Sequence, residues 1–224
     1  MSLNKEAYQK IKKELDEEQV ILVAVSKTKP VEDILKLYNL GHRDFGENYV
    51  QELVDKAAQL PQDIRWHFIG HLQTNKVKLI TPFVQLIQGV DSLKLLGEIN
   101  KQGQKVGRVI DCLLQVHIAE EETKFGLDEE EVLSVIGQLD SLKITNARVC
   151  GLMGMASFSE NMSMVREEFK KLKKIFDHYA KPETHNSKPV TLSMGMSSDY
   201  KVAIEEGSNM VRIGSLLFGE RSKK

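Results

Sequence analysis

Val20-Ile-Leu-Val-Ala-Val-Ser26 is a continuous apolar run that closes on a small polar residue and leads straight into Lys27. An unbroken run, as opposed to polar and apolar residues in alternation, marks a strand covered on both faces. Pro30 stops it soon after, and Val31 to Leu40 carries a helical pattern closed by Gly41 as a C-terminal cap. The same order repeats along the chain. Strand-like runs follow at about Arg43 to Glu47, Arg65 to Ile69, Val84 to Val90, Arg108 to Ile118, Ala147 to Met155, Pro189 to Met194 and Met210 to Ile213. Helical stretches lie between them at about Val50 to Gln59, Asn75 to Ile80, Leu93 to Gln102, Glu129 to Asp140, Ser163 to His178 and Tyr200 to Glu206. Ser215 to Glu220 follows the last strand, and a further helix, about Lys5 to Asp16, precedes the first. Alternating strands and helices predict a parallel sheet. Eight strands predict its closure into a single (β/α)8 TIM-type barrel with an extra N-terminal helix, one domain over residues 1–224. An open doubly wound sheet is the other arrangement this order permits.

Composition agrees with a soluble globular chain, at 41% hydrophobic and 28% charged residues, long enough to bury about 70% of its unfolded surface. The net charge of −1 argues against an electrostatic grip on nucleic acid. Lys170 to Lys174 is lysine-rich, but its helical spacing reads as a solvated face. Cys112 and Cys150 each lie in an apolar run and read as reduced, buried thiols. No leader opens the chain and no apolar run approaches about 18 residues, which predicts a cytoplasmic protein without a membrane span.

Barrels of this class carry their functional residues at the C-terminal ends of strands. Those ends hold Ser26-Lys27, Gly46-Glu47-Asn48, Gly70-His71, Val116-His117, Gly154-Met155, Ser193-Met194-Gly195 and Arg212-Ile213-Gly214-Ser215. Familiar catalytic and metal-binding motifs are absent, and the six histidines lack metal-ligand spacing. Lys27 stands out. At a barrel mouth it is partly desolvated, which favours the neutral amine that forms an imine. From position alone, the commoner arrangement is a strand-end lysine snorkelling to solvent. The last two strands shift that balance. Ser193 to Ser197 and Arg212 to Ser215 put glycines, hydroxyls and helix N-terminal amides where such barrels bind phosphate. Strand one adjoins strand eight once the barrel closes, so lysine and phosphate cradle together describe an aldehyde-bearing phosphate ester, with pyridoxal 5'-phosphate the natural candidate.

Several motifs carry a resemblance over essentially the whole chain. They are Val23-Ala-Val-Ser-Lys-Thr-Lys-Pro30, Phe45-Gly-Glu-Asn-Tyr49 with Gln51-Glu52, and Trp66-His-Phe-Ile-Gly-His-Leu-Gln73 with Asn75-Lys76. Further along are Lys124-Phe-Gly126, Gly151-Leu-Met-Gly-Met155, Leu192-Ser-Met-Gly-Met-Ser197 with Asp199-Tyr200, and Val211-Arg-Ile-Gly-Ser215 with Phe218-Gly-Glu-Arg221. In this order they resemble the YggS/PROSC pyridoxal phosphate homeostasis proteins. The resemblance implies a fold like the N-terminal barrel of alanine racemase, with pyridoxal 5'-phosphate held as a Schiff base on Lys27. It also implies Arg212 facing the pyridine nitrogen, Ser193, Gly214 and Ser215 on the phosphate, and Asn48 close to the ring. His71, Met194 and Gly195 are further candidates for the pocket wall, while Glu47 and Lys76 would support the loops.

Arginine in that position has a chemical consequence. A guanidinium cannot accept a proton, so the ring nitrogen it faces stays neutral and carbanions are poorly stabilised. Transamination and decarboxylation are disfavoured; racemisation, or simple holding and release, is not. A racemase of this type needs a second acid-base group on the opposite face. In alanine racemase a tyrosine from a partner subunit's additional domain fills that role, and here the chain ends about ten residues after the last strand. Tyr49 and Tyr200 fall where helices start and read as packing residues. The expectation is a monomeric carrier that buffers pyridoxal phosphate and passes it transiently to apoenzymes, without substantial catalysis. The alternative is an amino-acid racemase of weak or narrow activity.

Overall fold

The computed structural model describes residues 3–120, 125–139, 141–179 and 191–219. Helix α1 (Lys5–Glu17) starts at Asn4, whose side-chain oxygen accepts from the Ala7 amide at 3.0 Å and so satisfies one of the amides left open at a helix start. Then come β1 (Ile21–Val25), α2 (Val31–Asn39), β2 (Asp44–Glu47), α3 (Val50–Ala57), β3 (Arg65–Phe68), a 3-10 turn (Thr74–Lys76) with α4 (Val77–Ile80), and β4 (Leu86–Val90). The second half runs α5 (Leu93–Lys105), β5 (Ile110–Val116), α6 (Glu129–Gln138), β6 (Ala147–Gly154), α7 (Met162–Tyr179), β7 (Thr191–Met196), α8 (Tyr200–Glu205), β8 (Met210–Ile213) and α9 (Ser215–Phe218). All eight strands pair in parallel with their sequence neighbours, and β8 returns to β1. The barrel is closed. The motif residues Lys124, Glu220 and Arg221, and the expected strand residues Pro189 and Val190, lie outside the described residues.

Strand parity divides the side chains. In β1, Leu22 and Ala24 pack outward against the helices while Val23 points in. Val23, Leu86, Leu113, Met153 and Met210 form a small apolar plug inside the barrel. Beside it stand buried polar residues, His67, Gln88, Gln115, Ser193 and Arg212. The plug separates a cavity at the floor, where strands begin, from a cavity at the mouth, where they end. Cys112 and Cys150 are free thiols, both pushed up in pKa by burial, Cys150 to about 11. Among the described residues, no helix is long and apolar enough to cross a membrane.

The expectation for β7 was short by two residues. The strand runs on to Met196, with an irregularity in its pairing to β8 between Ser193 and Met196. Gly195 sits at the irregularity with φ of +94°, and a Cβ there would lie 2.6 Å from that of Ala203. Both the left-handed backbone and the close approach of α8 require glycine.

Candidate functional site

The mouth cavity, ≈ 490 Å³, is of the size that holds a small organic ligand. Its wall is made by the ends of β1, β2, β3, β6, β7 and β8 together with the loops that follow them.

Lys27 occupies the turn after β1 and is half-buried on this wall. Both of its chain neighbours are tied down. The Ser26 hydroxyl donates to Glu47 Oε1 at 2.6 Å, and the Thr28 amide donates to Glu52 Oε1 at 2.6 Å. Thr28 has φ of +62°, a conformation that disfavours a β-branched residue and persists where surrounding contacts impose it. Those contacts converge on Lys56. Its ammonium, buried on α3, donates to the Ser26 carbonyl at 2.8 Å and to Glu47 and Glu52 at 2.7 Å each. Burial pushes the Glu47 carboxyl up in pKa, with Lys56 and Ser26 opposing the shift. Lys56 is therefore consumed in structure, while Lys27 stands at the cavity.

At the far side, Gly214 and Ser215 after β8 face Ser197 and Ser198 after β7. The Gly214 amide donates to the Ser197 hydroxyl at 3.2 Å, which joins the two loops. Asp199, buried below them, accepts from the Met196 amide at 2.6 Å. Lys29 closes this corner by donating to the carbonyls of Phe218 and Gly219 at 2.9 and 3.1 Å. Val25, Ile69, Met155 and Leu216 supply apolar wall, and Phe158, 88% exposed, stands at the rim.

Arg212 is buried at the base of the cavity. It donates to the Ser193 carbonyl at 2.9 Å, the Ser193 hydroxyl at 2.6 Å and the Gly154 carbonyl at 2.9 Å. All three acceptors are neutral, and among the described residues no carboxylate lies within ion-pair distance of it. Burial pulls its guanidinium down to about 10, which Asp199 only partly opposes. A buried cation without an anion partner is costly in an apoprotein. Asn48 adds a second deficit, because its side-chain oxygen is buried with no hydrogen-bond partner. A Cβ on Gly70 would lie 2.3 Å from the Asn48 carbonyl oxygen, so glycine is what lets the β3 loop pass against it.

Of the expected site residues, the structure brings Lys27, Asn48, Arg212, Gly214 and Ser215 to one cavity. It does not bring His71, Ser193, Met194 or Gly195 to that wall. Ser193 points inward but lies below the cavity, its hydroxyl taken by Arg212 and Gln88. Met194 has the opposite parity and packs outward in the helix layer. Gly195 serves the irregular backbone of β7. Because that strand runs to Met196, the hydroxyl residues that the β7 side brings to the wall, beside Ser215, are Ser197 and Ser198, not Ser193. His71 is exposed, hydrogen-bonded to Asp91 at 2.9 Å and stacked on Phe125. Glu47 supports the Lys27 turn as expected, whereas Lys76 is exposed on the 3-10 turn. Neither Tyr49, exposed, nor Tyr200, buried, lines the cavity. Met155 stands at a strand end already singled out, whereas Lys56, Phe158 and Ser198 carry no signal of their own in the sequence. Only the length of β7 would have pointed to Ser198.

The family model described as "Alanine racemase, N-terminal domain" matches residues 5–222. A pyridoxal phosphate homeostasis protein of Aquifex aeolicus is 44% identical over 201 residues, covering 89% of this chain and 86% of its own. PipY of Synechococcus elongatus, solved with PLP bound, superposes with a TM-score of 0.85 at 31% identity, covering 96% of this chain and 99% of its own. Alanine racemase of Bartonella henselae shares the fold alone, with a TM-score of 0.71 at 15% identity over 99% of this chain and 62% of its own. The chain belongs to the alanine racemase N-terminal domain family and, within it, to the pyridoxal phosphate homeostasis proteins.

Proposed function

We propose that this protein binds pyridoxal 5'-phosphate covalently through Lys27 and serves its intracellular homeostasis, holding and releasing the cofactor in the cytosol. The observation that carries the reading is the meeting of the Lys27 turn and the anion-free Arg212 guanidinium on one cavity wall. The donor set fits the group. Hydroxyls and amides of Ser197, Ser198, Gly214 and Ser215 suit a phosphate, apolar Ile69 and Met155 suit a ring, and the unpartnered Asn48 oxygen suits a hydroxyl donor. When bound, the cofactor supplies an aldehyde that condenses with a primary amine and a ring that can take up electrons. The chain's own residues restrain that chemistry. Arg212 can donate a hydrogen bond to a ring nitrogen but cannot transfer a proton to it at ordinary pH. Neither of the candidate tyrosines reaches the wall to move a proton opposite Lys27. We assign the chain a carrier role as a monomer, with transient delivery to apoenzymes.

Incubation with pyridoxal 5'-phosphate, borohydride reduction and peptide mapping tests this. The expected label lies on Lys27 and is lost in Lys27→Ala. A label on another lysine, or an unchanged visible spectrum in Lys27→Ala, overturns the assignment. Inversion of an L- or D-amino acid at about 1 per second or faster would make the protein an enzyme.

A further inference from the structure

Ser193, the residue expected on the phosphate, instead begins a chain of buried polar groups that runs down the barrel interior. Arg212 donates to Ser193 Oγ at 2.6 Å, and Ser193 Oγ donates to Gln88 Oε1 at 2.7 Å. Gln88 Nε2 lies 3.1 Å from His67 Nδ1, and His67 Nε2 lies 3.1 Å from Asp44 Oδ1. The Arg65 guanidinium closes the chain on Asp44, at 2.8 Å to Oδ1 and 2.5 Å to Oδ2. Ser193, Gln88 and His67 are all buried. Burial opposes ionisation of Asp44, but Arg65 and His67 outweigh it and hold the carboxyl well below the usual carboxylate range.

The polarity of this chain follows from its ends. A guanidinium has no acceptor, so Ser193 must accept from Arg212 and spend its single proton on Gln88. That turns the amide oxygen of Gln88 toward Ser193 and its NH2 toward His67, where the second N–H meets the Met210 sulfur at 3.2 Å. His67 Nδ1 must then accept, which leaves the proton on Nε2, directed at Asp44. Between Arg212 and Asp44 every donor points toward the floor, where Arg65 donates to the same carboxylate from the other side. A buried network satisfied in one sense only is rigid, because any reversal leaves a polar group unpaired.

We propose that His67, Gln88 and Ser193 are positioning residues for the bound cofactor: a one-way hydrogen-bond relay that anchors Arg212 to the Asp44 carboxylate across the barrel. Three of the five guanidinium N–H groups are used on Ser193 and Gly154, so the relay fixes how the remaining two face the cavity. This rests on Arg212 meeting the cofactor, but the polarity of the relay does not.

The test has two arms. In the ligand-free protein, 15N NMR of labelled histidine reads the tautomer, with the His67 signal assigned by its loss in His67→Gln. The expected form is neutral with the proton on Nε2; a proton on Nδ1 overturns the relay. Gln88→Glu keeps the shape but cannot donate to Nδ1, so His67 should acquire a proton there. With pyridoxal 5'-phosphate added, the same variant should bind about tenfold more weakly and show a shifted visible band, while borohydride still labels Lys27. A changed His67 signal with unchanged affinity and band would overturn the positioning role. If Gln88→Glu does not fold, Ser193→Ala is expected to give the same loss of affinity and shift of the band, and no change in either counts against the proposal. Failure of the wild type to take up pyridoxal 5'-phosphate would instead remove the functional reading and leave the tautomer result standing.

Discussion

The floor and the mouth of the barrel enclose cavities of nearly equal size, ≈ 470 and ≈ 490 Å³, yet their charges are arranged in opposite ways. At the floor, cations are matched by anions of the same chain. Arg65 forks onto Asp44 and Arg148 onto Asp111, each pair bridging neighbouring strands. At the mouth, among the described residues, Arg212 has neutral acceptors only, and Asn48 presents a buried oxygen with nothing to accept from. A closed ion pair contributes to holding strands in register and offers little to a ligand. An open deficit costs stability in the ligand-free protein and is recovered when a ligand supplies the missing partner. On the proposed reading the two ends of one barrel divide stability and binding between them, as is general for this fold.

The division can be broken first at Lys56, where the mouth is built like the floor, a cation matched by carboxylates of the same chain. Lys56→Met leaves the Glu47 carboxylate buried without its cation and should cost about 3–5 kcal/mol, read from the urea midpoint. It should also loosen the Lys27 turn; a variant of unchanged stability would show that the clamp is incidental.

Acid tests the floor next. His42, just before β2, is buried edge-on between Tyr8 and Phe45, and burial pulls its imidazole down from 6.5 to about 4 despite its hydrogen bond to the Asp44 carbonyl. The unfolded chain takes up this proton below pH 6.5 and the folded chain resists until about 4. The contribution is therefore full above 6.5 and is lost as the pH falls toward 4. At 1.36 kcal/mol per unit it amounts to about 3 kcal/mol. His42→Phe should lose that much less stability between pH 7 and pH 4 than the wild type. Equal losses would place the acid sensitivity elsewhere.

Smaller effects sharpen the contrast. Ser197→Ala and Ser198→Ala should each weaken pyridoxal 5'-phosphate binding about tenfold, the scale of one hydrogen bond to a charged group, with the Lys27 label retained. Ser193→Ala should shift the visible band as well, because it acts through Arg212. Smallest of all, Arg148→Ala removes a pair whose guanidinium is exposed and should cost about 0.2–1 kcal/mol with no change in affinity. A loss of binding there would mean that floor and mouth are coupled beyond the relay.

Periodicity and strand order were enough to read the architecture from the chain. Apolar runs such as Val20 to Val25, each followed by a helical pattern, determine eight parallel strands because alternation is a local property of the chain. The chemistry of the mouth was legible for a similar reason. Lys27, Asn48, Arg212, Gly214 and Ser215 stand at strand ends, and a closed barrel gathers strand ends by construction. What depended on register was not legible. The irregularity at Gly195 carries β7 two residues further than its apolar pattern, so Ser197 and Ser198 reach the wall and Ser193 does not. Parity placed Met194 among the helices. Lys56, one of many lysines on amphipathic helices, became a buried clamp only because α3 lies across the ends of β1 and β2. The sequence by itself determined which residues cluster at the barrel's mouth; only the tertiary structure decided which of them face the cavity, because a shift of one or two residues along a strand changes both the height and the face of a side chain.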